Sequence, residues 1–94
     1  MSVYSIWESR FPAEVADEGL EVTKAIWRDM LSFDGYVAHE LIRDLDQPGH
    51  LFVISRWVSR EAADAALSYV SHPNARRAEQ LVSEPRRRTL GAPS

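Results

Sequence analysis

The order in which the hydrophobic period changes along the chain constrains the fold more than any other feature. Residues 3–10 combine β-branched and aromatic side chains in loose alternation, which predicts a first strand. From Pro12 to Phe33, apolar residues recur every three or four positions, which predicts a long amphipathic helix with its acids early and its bases late. Residues 36–45 and 51–57 return to a two-residue period on either side of a turn rich in Asp, Pro and Gly. We therefore expect these two strands to form a hairpin.

The last third of the chain predicts helical segments and one more strand. Ser59 is a suitable N-cap, and the alanine-rich stretch after it predicts a short second helix that ends before His72-Pro73. Residues 74–82 add a further helical turn or two, and residues 86–90 are predicted to form an edge strand. The resulting order of strand, helix, strand, strand, helix and strand predicts an α+β fold. It is the ferredoxin-like split β-α-β arrangement with a four-stranded antiparallel sheet.

Both faces of the predicted strands carry apolar side chains. In the second strand, Val37, His39 and Leu41 share the face that is expected to lie under the helices. The apolar side chains assigned to the opposite face are Tyr4, Ile6, Tyr36, Ala38, Ile42, Phe52 and Ile54. Because a sheet with helices on one side leaves that face uncovered, we expect a homodimer in which two such faces pack together.

Composition excludes several classes of function. At 94 residues the chain is predicted to form a single domain over 1–94 with a flexible tail at 91–94. The lack of cysteine excludes disulfides, thiolate metal ligands and a thiol nucleophile. A net charge of -3 argues against nucleic acid as a partner, and the runs Arg76–Arg77 and Arg86–Arg88 are interpreted as solvated surface because acids lie close by. Without a basic leader or a long apolar run, we expect a cytoplasmic protein that binds no membrane.

Three segments resemble a known family: FDGYVAHELIRD (33–44), GHLFVISRWVSREAADAAL (49–67) and SHPNARRAEQL (71–81). They share with it a Gly that opens the second strand, a strand ending in Trp before a helix of Glu and Ala, and a Pro-containing break before the next helix. In these features and their order the chain resembles the antibiotic biosynthesis monooxygenase superfamily of dimeric α/β barrels. The resemblance implies a homodimer with face-to-face sheets and a small pocket between each sheet and its helices. Members include cofactor-free oxygenases of phenolic polyketides or quinols, haem-degrading oxygenases and small isomerases.

Three residues are candidates for catalysis. Trp57 stands where the resemblance implies a pocket Trp, which could stack on a planar phenol and donate its N–H. His39 is expected to face the helices, where a neutral imidazole could accept a phenol proton because its pKa lies near the working pH. Arg77 falls near the position of a pocket Arg in one oxygenase type of the family, where a guanidinium could stabilise a phenolate. Each of the three also has an ordinary structural explanation, as core or helix surface.

Four further residues are candidates for substrate binding. Tyr69, His72 and Asn74 surround the break after the second helix, where many relatives place a polar pocket group. Asn74 replaces a His that is common in quinol oxygenase-like members, and Ser55 replaces a Glu that many relatives carry. The two replacements leave the chemistry of those relatives in doubt for this chain.

The residues and the resemblance together lead to one main hypothesis. We expect a cofactor-independent monooxygenase that acts on a small phenolic, quinol or polyketide-like aromatic. The alternatives are a non-catalytic small-ligand-binding dimer, acting as carrier or pathway accessory, and a small-molecule isomerase. No cofactor is expected, because the sequence lacks phosphate-binding and dinucleotide-binding motifs. No metal is expected either, because His39, His50 and His72 lack ligand spacing.

Overall fold

The computed structural model describes residues 2–94, so Met1 of the predicted domain lies outside the described residues. The strands in this range are β1 (Val3–Arg10), β2 (Tyr36–Arg43), β3 (His50–Trp57) and β4 (Arg87–Gly91). The helices in this range are α1 (Ala16–Met30), α2 (Arg60–Ala65) and α3 (Pro73–Leu81). Short 3₁₀ segments, Ala13–Val15 and Ala66–Ser71, precede α1 and follow α2.

The strands of residues 2–94 form one sheet in the order β2-β3-β1-β4, and each neighbouring pair is antiparallel. This is the α+β, ferredoxin-like architecture that the sequence predicts. The predicted tail begins one residue too early, because Gly91 pairs with Tyr4 and belongs to β4. Within residues 2–94, no helix is both long enough and apolar enough to cross a membrane.

The predicted second helix divides into α2 and the 3₁₀ segment Ala66–Ser71. Side chains three positions apart eclipse one another in a 3₁₀ helix, so Ala66 and Tyr69 can both turn toward the core, and both are buried. His72 has extended backbone because Pro73 follows it, and this ends the segment where the sequence predicts.

The helices pack on one face of the sheet, and the core lies between them. On the sheet it includes Trp57, the last residue of β3, and Val53 on the same face of that strand. Helix α1 contributes Ile26, Trp27 and Met30, which are all buried. These α1 positions are three and four residues apart, as the predicted amphipathic stripe requires.

A β-bulge at the start of β2 changes the predicted facing of Tyr36. Tyr36 pairs with Trp57 and Ala38 pairs with Arg56, so two steps of β2 match one step of β3. Tyr36 therefore lies on the helix side, where its ring meets the Trp57 ring edge-on at 5.8 Å between centroids. The prediction that Tyr36 belongs to the helix-free face is wrong for this reason. Val37, predicted to face the helices, is exposed.

Gly35 and Gly49 open the two hairpin strands in backbone conformations that favour glycine. Their φ angles are 83° and 87°. A Cβ on Gly35 would collide with Ala62 at the start of α2, and a Cβ on Gly49 would collide with the backbone of Phe11. Both turns therefore bring β2 and β3 closer to neighbouring elements than a side chain would allow.

The helix-free face carries Ile6 and Ile54 as a cross-strand pair at its centre. Tyr4, Ile6, Phe52 and Ile54 are half-buried on this face in the single chain, and Ile42 is exposed. Contiguous apolar surface of this kind is what a protein interface covers.

We predict that the protein is a homodimer through this face. Light scattering at micromolar concentration should give about twice the chain mass of 10.7 kDa. Ile54→Lys should shift the mass toward the monomer, because it buries a charge at the centre of the interface. Leu45→Lys is the matched control, since Leu45 is 96% exposed in the hairpin turn. A well-folded parent monomer at this concentration would contradict the prediction.

His50 lies between two carboxylates at the start of β3. Its Nδ1 is 2.7 Å from Asp44 Oδ2, its Nε2 is 2.6 Å from Glu8 Oε2, and the residue is 8% exposed. The hydrogen bond to Asp44 and then that to Glu8 raise the pKa of His50 above 6.5. The bond to His50 in turn lowers the pKa of Glu8 below 4.5 and that of Asp44 below 3.8. The cluster ties β1, the hairpin turn and β3 together while His50 is protonated.

The cluster predicts a pH window for stability. The imidazolium contribution is complete below pH 6.5 and is lost as pH rises through the raised pKa of His50. The carboxylate contribution is present above pH 4.5 and is lost as pH falls through the lowered pKa values. The excess unfolding free energy of the parent over His50→Gln should therefore be largest between pH 4.5 and 6.5 and shrink at alkaline pH. Urea denaturation at one protein concentration measures it, and a pH-independent difference would refute the prediction.

Candidate functional site

A cavity of about 50 Å³ lies between the sheet and its helices. Its apolar wall includes Ile26, Met30, Val53, Ala63 and Ala66, and Trp7, Trp27 and Trp57 add indole rings. Its polar groups include Ser5, Ser9, Thr23 and Tyr69. Such a wall, apolar and aromatic with a few polar groups, is typical of a site for a small organic molecule.

Trp57 lines the cavity and is 1% exposed. Its Nε1–H donates to Ser55 Oγ at 3.0 Å, and the Ser55 hydroxyl donates to the Ser5 carbonyl oxygen at 3.1 Å. The indole N–H is thus already engaged within the core. In this arrangement Trp57 offers the cavity its ring, and Ser55 acts as the buried acceptor behind it.

Tyr69 also lines the cavity, and its hydroxyl donates to the Asp29 carboxylate on α1. Burial and this bond raise the pKa of Tyr69 to about 12. Asn74 Nδ2 donates to Tyr69 Oη at 3.3 Å, and the His72 ring stacks on the Tyr69 ring at 4.4 Å between centroids. His72 Nδ1 also accepts from the Asn74 backbone N–H and so caps α3. The structure therefore brings Tyr69, His72 and Asn74 together around an acid.

His39 does not line this cavity. Its Nδ1 is 2.6 Å from the Tyr36 hydroxyl, and its ring lies 5.3 Å from the Trp27 ring between centroids. Burial lowers the pKa of His39, so the imidazole is neutral near pH 7. Trp27 contacts both the imidazole and the cavity, which leaves His39 behind the aromatic wall. The expectation that His39 and Trp57 border one cavity is therefore wrong for this structure.

Arg77 lies on the outer side of α3. Its guanidinium pairs with Glu18 on α1, with Nε at 3.0 Å from Glu18 Oε2, and both side chains are about half exposed. The structure places Arg77 in a surface ion pair between two helices and not in the cavity wall.

Arg86 and Arg88 do line the cavity. The Arg86 guanidinium lies 5.2 Å from the centre of the Trp7 ring, and Arg88 is the cross-strand partner of Trp7. Side chains alternate along a strand, so on β4 Arg88 points toward the helices while Arg87 points to the other face. Arg86 directly precedes β4 and reaches the cavity beside Trp7. The interpretation of this arginine run as solvated surface is wrong for Arg86 and Arg88.

Sequence reasoning did not select four residues that belong to the site or contact its wall. Arg86 and Arg88 line the cavity, Asp29 bonds Tyr69, and Tyr36 contacts Trp57. Asp29 occupies the polar face of α1 in the helical pattern, and its contact with Tyr69 is formed across the fold. A usable signal existed for the arginines, because two-residue alternation within the predicted last strand separates Arg87 from its neighbours. Within residues 2–94, no group of three or more His, Asp or Glu side chains has a geometry that could hold a metal ion.

The chain belongs to the antibiotic biosynthesis monooxygenase family, because the family model described as Antibiotic biosynthesis monooxygenase matches residues 2–80. Among solved structures, SnoaB from Streptomyces nogalater, described as a cofactor-independent oxygenase, matches with a TM-score of 0.84. It is 18% identical over 99% of this chain and 93% of SnoaB. Rv0793 from Mycobacterium tuberculosis has a TM-score of 0.80 and 20% identity over 100% of this chain and 96% of its own. At these identities the structural likeness supports the fold alone. The search of curated proteins found no match.

The bond between Ser55 and Trp57 leads to a stability prediction. Ser55→Ala leaves a buried indole N–H without its acceptor, and this should lower the free energy of unfolding by about 1–3 kcal/mol. Ser71→Ala is the matched control, because that hydroxyl bonds the Ser68 carbonyl on the exposed surface and its loss should change stability by less than about 0.5 kcal/mol. Urea denaturation measures both variants. Equal effects would show that the buried bond does not stabilise the core.

Proposed function

We propose that the protein is a cofactor-independent monooxygenase that acts on a small, electron-rich phenolic, quinol or polyketide-like aromatic. The observation that carries the proposal is the Tyr69–Asp29 pair in an aromatic-walled cavity of a chain that belongs to this family. The description of SnoaB as a cofactor-independent oxygenase supports the same class of reaction.

Proton removal is the first step that this cavity would perform. A phenol hydroxyl beside Tyr69 would give its proton to Tyr69 Oη while the Tyr69 proton moves to Asp29. Asp29 is about half exposed, and His72 Nε2 lies 3.8 Å from its Oδ2, so the proton would leave toward solvent from there. Tyr69 in turn keeps a high pKa, which favours its neutral form and a short-lived role as carrier.

The deprotonated ring would then react with dioxygen directly. Its carbanion-like carbon would form a C–O bond with O₂, and the peroxide anion would take up the proton that the phenol had released. The hydroperoxide would then lose water, made from its terminal OH and the hydrogen on the same ring carbon, to leave a carbonyl. One oxygen atom enters the product, the other leaves as water, and the substrate supplies all the electrons. Trp27 and Trp57 would hold the ring and exclude water, which strengthens every charge interaction in the site.

The cavity must open before such a substrate enters. Its volume of about 50 Å³ is below the roughly 300–1,000 Å³ of typical ligand pockets. Leu67 and Val70 on the 3₁₀ segment line the cavity, and Leu67 is partly buried whereas Val70 is exposed. Displacement of these side chains is the shortest route to a larger space.

A second candidate function is a small-ligand-binding dimer without catalysis. The engagement of the Trp57 N–H by Ser55 favours it, because that donor is then unavailable to a substrate oxygen. An isomerase would use the same proton carrier but consume no dioxygen. Oxygen uptake therefore separates the proposal from both alternatives.

We predict oxygen consumption by chelator-treated protein with at least one member of a panel of phenols, naphthols and quinols. Tyr69→Phe should lower kcat by about 10²–10⁴-fold, the usual contribution of a placed proton acceptor. Trp57→Phe should raise KM before it lowers kcat, because it keeps a stacking ring.

His39→Ala tests the base that the sequence suggested. A fall in kcat by the same factor in His39→Ala with unchanged kcat in Tyr69→Phe would place the proton acceptor behind the aromatic wall instead. Arg77→Gln is the surface control and should leave both constants unchanged. No uptake with any substrate would leave ligand binding or isomerisation as the function.

A further inference from the structure

We propose that the natural ligand carries a carboxylate on its aromatic ring system and that Arg86 and Arg88 bind this group at the β4 side of the cavity. The inference deepens the proposed function by naming the substrate class, and it rests on that function for what happens at the ring. The binding step itself requires only the cavity and its two guanidinium groups.

The burial of the two arginine side chains is the first argument for a carboxylate ligand. The side chains of Arg86 and Arg88 are 12% and 18% exposed, so both guanidinium groups have lost most of their water. Arginine stays protonated, and placing a charged group against an apolar wall is unfavourable unless the charge is paired. Arg87, between them, shows that the same strand can carry an arginine on its other face, where it is exposed. Two inward arginines thus need a partner inside the cavity or at its rim.

At the rim, each of the two guanidinium groups is paired with one acid. Glu79 accepts from Arg86 Nε at 2.7 Å, and Asp64 accepts from Arg88 Nη2 at 3.0 Å. Both acids are about half exposed, so they hold the guanidinium groups from the solvent side. Each bond uses one nitrogen, whereas a guanidinium has five N–H donors in a planar fork. The remaining donors can face a ligand without breaking either ion pair.

The shape of the site favours a carboxylate on a flat ring. Paired N–H groups of a guanidinium match the two oxygens of a carboxylate in a bidentate arrangement. Trp7 stands beside both arginines, with the Arg86 guanidinium over its ring. An aromatic acid could therefore place its ring among Trp7, Trp27 and Trp57 and its carboxylate on β4.

The test compares two probes that differ only in the carboxylate: 2-naphthol and 3-hydroxy-2-naphthoate. Binding to the 94-residue chain is measured without oxygen by calorimetry and by quenching of tryptophan fluorescence. We expect the naphthoate to bind at least about tenfold more tightly, the contribution of one charge-assisted hydrogen bond. Arg86→Gln and Arg88→Gln should each remove most of this preference and leave 2-naphthol binding unchanged.

Arg87→Gln is the matched control, because it removes the same charge from the same strand on the opposite face and should keep the preference. Arg88→Lys keeps the positive charge but loses the planar, two-pronged donor geometry of the guanidinium. We expect an intermediate preference for the naphthoate in this variant. If its thermal stability equals that of the parent, the change reflects carboxylate binding and not a folding defect. Equal affinity for the two probes, no binding of either, or an equal loss in Arg87→Gln would overturn the proposal.

The outcome is distinguishable from that of the oxygenase assay. If the protein prefers the naphthoate but consumes no oxygen, the carboxylate site is supported and the proposed oxygenase function is refuted. If the protein consumes oxygen with 2-naphthol and binds the two probes equally, only the carboxylate site is refuted.

Discussion

The burial of Trp57 is the constraint on which the rest of the structure depends. An indole that is 1% exposed needs an acceptor for its N–H, and Ser55, two residues earlier on the same face, supplies it. Ser55 then bonds the Ser5 carbonyl on β1, directly across the sheet, and so links the buried side chain to the β1–β3 register. Tyr36 reaches the same ring through the bulge in β2. One side chain thus joins three strands to the helical layer.

The chemical properties of the cavity depend on how its buried polar and charged groups are paired. Tyr69 is satisfied by an acid on α1, which connects a buried hydroxyl to solvent through one carboxylate. Arg88 on β4 and Arg86 just before this strand line the cavity and are paired with acids at its rim. In a low-dielectric interior, the Tyr69–Asp29 hydrogen bond and two fixed positive charges act more strongly than they would at the surface.

Local periodicity predicts the fold closely because the hydrophobic period differs between helices and strands and can be read within each element. The strand over 3–10 and the turn between β2 and β3 are found where the sequence places them. The errors lie where geometry departs from a regular period. A bulge reverses the facing of Tyr36, and a 3₁₀ segment replaces the end of the second helix. Neither feature can be predicted from the pattern of apolar and polar residues.

The sequence by itself determined the α+β architecture, the single helical face of the sheet and the grouping of Tyr69, His72 and Asn74 near the break before α3. The type and order of the elements and the grouping before α3 follow from local periodicity and turn residues, and an element order of this kind is compatible with few sheet topologies. Only the tertiary structure decided that Asp29 meets Tyr69 and that His39 lies behind Trp27. It also decided that Arg86 and Arg88 line the cavity while Arg77 pairs with Glu18 outside it. Those contacts join residues far apart in the chain, and their geometry is set by how the helices pack on the sheet.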